Sequence, residues 1–410
     1  MVSPCIEYRL SIIRVYLCAS VVNAFTHAPP SLSAHNGTFG TFASTVEPTR
    51  NEPRVLVLYT EIAPYVLACL DALVARTGAR IQLVRWPVNA EAPFALGAHP
   101  GITLHDRRDF TDERLLAFAL DFKPQFVIAS GWVDKGYLKV CRAMRRQGIP
   151  TSMNLDTAWR GDAKQWISAA LARLWMPRTY SHIWATGTRQ VAYARKLGLP
   201  VNRILTGLYA ADTTPFRAAF HAARLARQQR YPHRFIHVAR YIPTKGQQVL
   251  CDAFAELCDQ GRAGDWELHL VGTGELHEQV KNSTSGRHPR IVHRGFVQAT
   301  DIPAVLAEAG ASVLPSLYEP WGVVVQEHAC IGLPLLLSDA VGAGERFLEP
   351  GANGALHKAG DKADLQRSLL QIIGTPDAEL LRMGDRSAEL GATWTPERWA
   401  EMAERILLKR

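Results

Sequence analysis

Short, continuously apolar runs recur along this chain, and each is followed by a stretch whose apolar positions keep helical spacing. A strand that is apolar on both faces must be covered on both faces, which is the condition of a parallel sheet flanked by crossover helices. In the first half the spacing predicts strands at 54–59, 80–84, 126–129, 150–155 and 181–185, with helices at 66–77, 115–122, 137–147, 164–175 and 189–197. Residues 211–232 are polar and rich in Arg and Gln, and read as a joint. The alternation then restarts. Strands are predicted at 234–238, 266–271, 291–293, 311–315, 334–338 and 355–357, and helices at 247–258, 276–281, 301–309, 324–330 and 362–373. The expected fold class is α/β, with two Rossmann-like doubly wound halves facing a cleft. Residues 53–210 form the first half and 211–390 the second. Residues 391–410 form a C-terminal helix that would pack back on the first.

A chain of 410 residues is long enough for two or three domains, each with its own core. Its seven cysteines form no C-x-x-C pair, which argues against a zinc cluster or disulfide framework and fits a reducing cytoplasm. Residues 53–215 carry 21 Lys and Arg against 12 Asp and Glu, whereas residues 216–410 carry 22 against 23. The basic excess therefore belongs to the first half and points to an anionic partner there. No zinc-finger spacing, RNA-recognition signature or basic coil supports nucleic acid as that partner. Residues 1–52 stand apart: 10–24 is apolar but interrupted by Arg14, and 29–53 is rich in Ser, Thr, Gly and Pro. A signal peptide and a misassigned start compete as readings, and the cytosolic look of the rest favours the second.

The stretch Ser316-Leu317-Tyr318-Glu319-Pro320-Trp321-Gly322-Val323-Val324-Val325-Gln326-Glu327 places one carboxylate in a strand-to-helix turn and another about two helical turns on. Pro320 stiffens the turn, and Gly322 admits close approach to the backbone. The N–H groups of Trp321, Gly322 and Val323 open the helix and form a site for an anion or hydroxyl. Solvated helices show the same carboxylate spacing, so the turn context carries the reading. Arg240 and Lys245 share the loop after the first strand of the second half, where such sheets bind ligands. A forked cation and a point charge can together offset the charge of a departing diphosphate, although a solvated turn could carry the same pair. Gly272-Thr273-Gly274 follows the next strand but fails as a dinucleotide fingerprint, since His277 holds the third glycine position.

In this order the segments resemble the retaining nucleotide-sugar glycosyltransferases of family four, with the GT-B fold. The carriers are the E-x7-E pair Glu319/Glu327, the R-x4-K segment Arg240/Lys245, the G-x-G loop Gly272/Gly274, and His293 to Val297, which includes Phe296. The resemblance runs over roughly 234–373. It implies transfer of a hexose from a nucleotide-diphosphate sugar to a saccharide or lipid-linked acceptor, without metal or other cofactor. In that reading Arg240 and Lys245 stabilise the leaving diphosphate. Glu319 and the N–H groups of Trp321, Gly322 and Val323 hold the donor sugar, while Glu327 holds the ribose. Gly272, Gly274 and Phe296 border the nucleotide. The first half departs from the family pattern: its first loop, Thr60 to Tyr65, lacks the Gly-Gly pair that admits the acceptor. Asp156 is the candidate for the polar residue that touches the donor sugar, with Trp132 and Asp134 as second choices and turn formation as the competing role. The 165–178 helix mixes Trp166 and Trp175 with basic residues, the pattern of a peripheral helix on the anionic inner membrane leaflet or of an ordinary core helix. Rival readings are a phosphorylase-like or epimerase-like GT-B enzyme and a non-catalytic nucleotide-sugar-binding protein.

Overall fold

The computed structural model describes residues 52–87 and 97–408. The choice between signal peptide and misassigned start therefore lies outside the described residues. The first sheet contains β1 (Arg54–Tyr59), β2 (Arg80–Arg85), β3 (Ile102–Asp106), β4 (Phe126–Ala129), β5 (Thr151–Leu155), β6 (His182–Ala185) and β7 (Ile204–Thr206). They are all parallel, in the order β3-β2-β1-β4-β5-β6-β7. The second sheet contains β8 (Arg234–Val238), β9 (Glu267–Val271), β10 (Ile291–Gly295), β11 (Ala311–Leu314), β12 (Leu335–Ser338) and β13 (Gly354–His357). It is parallel as well, in the order β10-β9-β8-β11-β12-β13. The central strands β1, β4, β11 and β12 are buried almost throughout, as their unbroken apolar runs require.

Strand order reverses between β1 and β4 in one sheet and between β8 and β11 in the other. Helices leave opposite faces of the sheet at such a point, so the loops beyond the carboxyl ends diverge and leave a crevice. The sheets thus place β1–β4–β5 exits from one lobe and β8–β9–β11 exits from the other on a shared cleft.

Two strands and the helices Thr213–Gln229 and Asp377–Gly391 are among the elements that depart from the sequence expectation. β3 and β7 are edge strands whose residues are largely only part-buried, so neither shows an unbroken apolar run. The stretch read as a polar joint is mostly a helix, Thr213–Gln229, capped by Asp212. Its polarity misleads because Arg227, though charged, is buried. Its guanidinium donates to the carbonyls of Ala309 (2.9 Å), Ile331 (2.8 Å), Gly332 (3.2 Å) and Leu306 (3.0 Å). Those carbonyls lie at or just beyond helix ends, where acceptors lack intrahelical partners.

The chain's last helix, Pro396–Leu407, returns to the first lobe and packs on the helix Pro64–Thr77. Trp399 stacks on Trp184 with centroids 4.6 Å apart and donates Nε1–H to the Leu208 carbonyl at 2.9 Å. Arg76 and Glu404 close the pair of helices at 2.7 Å. Cys69, Cys141, Cys251, Cys258 and Cys330 are free thiols, and all but Cys258 are buried. Removing the Trp399 indole takes away a buried ring and leaves the Leu208 carbonyl without that donor. Trp399→Ala should lower stability by about 3–5 kcal/mol in denaturant unfolding, the range for deleting a buried aromatic. A loss below about 1 kcal/mol would show that this helix does not anchor the lobe.

Candidate functional site

The loops leaving β8 and β11 are tied to each other before any ligand is considered. The Thr244 carbonyl accepts N–H bonds from Leu317 (2.8 Å) and Tyr318 (3.3 Å). This tie brings Lys245 beside Glu319, 74 residues away, and the two side chains form an ion pair that is mostly shielded from solvent. The turn after Glu319 is fixed from its other side. Gly342 N–H donates to the Glu319 carbonyl at 3.0 Å, and Ala343 N–H to the Trp321 carbonyl at 2.8 Å. Gly322 has φ +93°, and a Cβ there would lie 3.1 Å from Glu319 Cγ. Glycine is thus required to start the helix Val323–Cys330 in this conformation. The residues read as the diphosphate grip and the sugar holder are brought together, and without a ligand Lys245 and Glu319 are counterions to each other.

Opposite them stands the first lobe. Tyr59, Thr60 and Glu61 leave β1, Ser130 follows β4, and Asn154 and Asp156 come from the end of β5. With Arg240, Lys245, Glu319, Trp321, Gly322 and Val323 they enclose a cavity of about 470 Å³. Burial raises the Asp156 carboxyl above its ordinary range, opposed by a 3.2 Å hydrogen bond from Tyr209 Oη. The second-choice residues do other work. Asp134 caps the helix Lys135–Arg146 and pairs with the buried Arg107, while Trp132 packs edge-on against Trp175 and Tyr193.

A second cavity, of about 660 Å³, opens on the other side of Arg240. Its walls include Gly272, Phe296, Val297, Ile302 and Glu327, and it shares Arg240 and Val323 with the first. Burial away from water pushes the Glu327 carboxyl up to about 7, with the Asp212 carboxylate a second cause. Gly272 passes so close to the Ala239 carbonyl that a Cβ would meet it at 2.1 Å. Gly274 borders neither cavity. It is packed against the Tyr241 backbone, which a Cβ would meet at 2.7 Å.

The cleft is closed by contacts that the sequence did not disclose. Gln190, buried near the start of the helix Thr188–Lys196, donates from Nε2 to the Asp156 carbonyl (2.8 Å) and to the Pro320 carbonyl (3.0 Å). One amide thus joins the two turns that carry Asp156 and Glu319. Beside it, Glu345 accepts from Thr188 N–H (2.8 Å) and Thr188 Oγ1 (2.5 Å), capping that helix from the other lobe. Glu345 thereby helps to hold the lobes together. Tyr209 and Glu61 are further cavity residues that no motif marked.

Residues 232–375 match the family model described as Glycosyl transferases group 1. A glycogen synthase of Mycobacterium tuberculosis is 27% identical over 368 residues, covering 79% of this chain and 87% of that one. An alpha-D-kanosaminyltransferase of Streptomyces kanamyceticus is 26% identical over 204 residues, or 48% of this chain, and the match spans 52% of that relative's length. Among solved structures, Anabaena HepE in complex with UDP and glucose superposes with a TM-score of 0.67 at 18% identity, covering 87% of this chain and 99% of that one. Sucrose-phosphate synthase from Thermosynechococcus elongatus gives 0.66 at 17% identity, covering 87% and 98%. At these identities the superpositions speak for the fold alone. The second lobe thus carries a match to the group 1 glycosyltransferase family, and the two sheets together have the GT-B fold.

Proposed function

We propose that the chain transfers a hexose from a nucleotide-diphosphate sugar to a saccharide acceptor with retention of anomeric configuration, and without a metal. The observation that carries this reading is that two cavities meet at Arg240. The apolar cavity with Phe296 and Glu327 suits a nucleoside, with ribose hydroxyls donating to Glu327. The polar one with Glu319 and Asp156 suits a sugar. A diphosphate would then lie between them on Arg240 and Lys245. HepE, which shares the fold, was crystallised with UDP and glucose.

In the proposed step the bond from the sugar C1 to the diphosphate oxygen breaks, and the acceptor oxygen bonds to C1 from the same face. The acceptor's proton passes to the departing phosphate oxygen. Arg240 and Lys245 offset the charge that grows on the leaving group, which is where electrostatic help lowers the barrier. Lys245 must first exchange Glu319 for phosphate, and this frees the Glu319 carboxylate to accept from sugar hydroxyls. The N–H groups of Trp321, Gly322 and Val323 border the same space and can bind a sugar oxygen.

We also propose that the first lobe docks as a peripheral protein on the anionic inner leaflet, where a lipid-linked saccharide would be presented. Among the described residues no helix is long and apolar enough to cross a membrane. On the helix Ala163–Thr179, however, Trp166, Ile167, Leu171 and Leu174 are each more than half exposed. Lys164, Arg173 and Arg178 are exposed on the same helix. Trp175 is not part of that face: it packs on Trp132 with Arg142 over its ring.

Three outcomes follow from this reading. Arg240→Ala and Lys245→Ala should each lower turnover of a nucleotide sugar about a hundredfold or more, the scale for losing one donor to a developing anion. Wild-type turnover should persist in excess chelator, and near-normal rates in both variants would remove these cations from the step. Because Glu327 is half-protonated near pH 7, nucleotide-diphosphate affinity should rise roughly tenfold from pH 6 to pH 8 as the ionised fraction grows. Glu327→Gln should flatten that rise and weaken binding by about 1.5–3 kcal/mol in calorimetry; an unchanged pH profile would exclude Glu327 from the ribose. Ile167→Ser with Leu171→Ser and Leu174→Ser should abolish salt-sensitive sedimentation with anionic vesicles. Equal recovery of the wild type with and without anionic lipid would end the docking proposal.

A further inference from the structure

The first lobe carries the chain's basic excess, yet among the described residues none of it lines the cavity where an acceptor would enter. The first-lobe residues on that wall are Tyr59, Thr60, Glu61, Ile62, Ala63, Tyr65, Ser130, Asn154, Asp156 and Tyr209, with no Lys, Arg or His among them. The two cations that do line it, Arg240 and Lys245, come from the second lobe. Lys245 is already balanced by Glu319, and in the reading above both cations are taken up by the donor diphosphate. Once they are engaged, Glu61, Asp156 and Glu319 remain as the charged groups facing the incoming molecule.

A second observation points the same way. Asn154 is 8% exposed and lines this cavity, and its Oδ1 has no hydrogen-bond partner. A buried amide oxygen left unmatched is costly, so a site that presents one is complete only when a donor group arrives. Thr60 and Ser130 share a hydrogen bond at 3.1 Å at the rim. The rings of Tyr65 and Tyr209, 5.4 Å apart and edge to face, provide an apolar surface beside the carboxylates. Carboxylates, a bare amide oxygen and aromatic faces form an array that accepts hydrogen bonds and welcomes positive charge.

We propose that the group accepting the sugar belongs to a polyol that is uncharged or bears an amine, and that phosphate- and carboxylate-bearing acceptors are rejected. This rests on the donor reading above. Hydroxyl or ammonium hydrogens of the acceptor would be met by Asn154 Oδ1 and Glu61, with its C–H face on the tyrosines. A phosphate at the same place would bring up to two negative charges against carboxylates and a bound diphosphate, with no uncommitted cation among the described residues of the wall to receive it.

The test uses the full chain, a nucleotide sugar that it turns over, and three acceptors on one ring frame: a neutral hexoside, its amino analogue and its phosphate. The expected kcat/KM for the phosphate is roughly tenfold or more below that of the neutral acceptor, the scale of one like-charge contact near a protein surface. Ratios between acceptors within one variant cancel any loss of folded protein. Glu61→Lys should raise the phosphate-to-neutral ratio, and Glu61→Gln should lower the amino-to-neutral ratio. A phosphate acceptor that is the best of the three, equal rates for all three, or ratios unmoved by Glu61→Lys would overturn the inference. Nucleotide-diphosphate binding is measured alongside. If it is present, such a result defeats only the acceptor class; if it is absent, the donor reading fails and takes this inference with it.

Discussion

The ion pair between Lys245 and Glu319 sets the terms for everything else in the cleft. Each residue sits at the exit of a strand beside the switch point of the second sheet, and each is largely withdrawn from water. Either charge alone would be expensive in that position, so neither can be placed there without the other or a ligand in its stead. A diphosphate can replace Glu319 at Lys245, and sugar hydroxyls can replace Lys245 at Glu319. One ligand that brings both groups satisfies both charges at once, whereas a nucleotide or a sugar alone satisfies one and strands the other. In the proposed function, recognition of the two halves of the donor would be coupled through this single pair.

That coupling works only if the lobes stay in register. Gln190 joins the Asp156 turn to the Pro320 turn, and Glu345 caps the helix that carries Gln190. Farther out, the C-terminal helix returns to the first sheet through Trp399 and Trp184. Gln190 and Glu345 join the lobes directly, and the C-terminal helix fastens the second lobe's exit to the first lobe's core. Glu327 shows what the site costs. Its carboxyl is raised to about 7, so ionising it in the folded chain is harder than in the unfolded one. Between the ordinary carboxylate range and pH 7 this carboxyl therefore subtracts from stability as pH rises. Such a cost is expected where a charge is held for a ligand.

Much of this was legible in the residues. The unbroken apolar runs of β1, β4, β11 and β12 announce buried parallel strands, and the turn chemistry of Glu319-Pro320-Trp321-Gly322 marks a strand-to-helix exit. The R-x4-K spacing found the loop that the fold brings against Glu319. Illegible were the features that depend on partners distant in the chain. β3 and β7 lie on sheet edges and lack apolar continuity. The helix Thr213–Gln229 hides a buried Arg227 whose polarity is spent on backbone carbonyls. Gln190 is one polar residue on a polar helix face until Pro320, 130 residues on, is folded against it. The lobe's net charge also misdirects: it suggests an anionic partner for the first half as a whole, while the wall of its cavity is acidic.

The most direct test is a crystal structure of the full chain with an unhydrolysed nucleotide-diphosphate sugar. Diphosphate oxygens are expected on Arg240 and Lys245, Glu319 turned from Lys245 to the sugar hydroxyls, and the nucleoside between Phe296 and Glu327. A donor bound with the Lys245–Glu319 pair still intact, or seated away from Arg240, would contradict it.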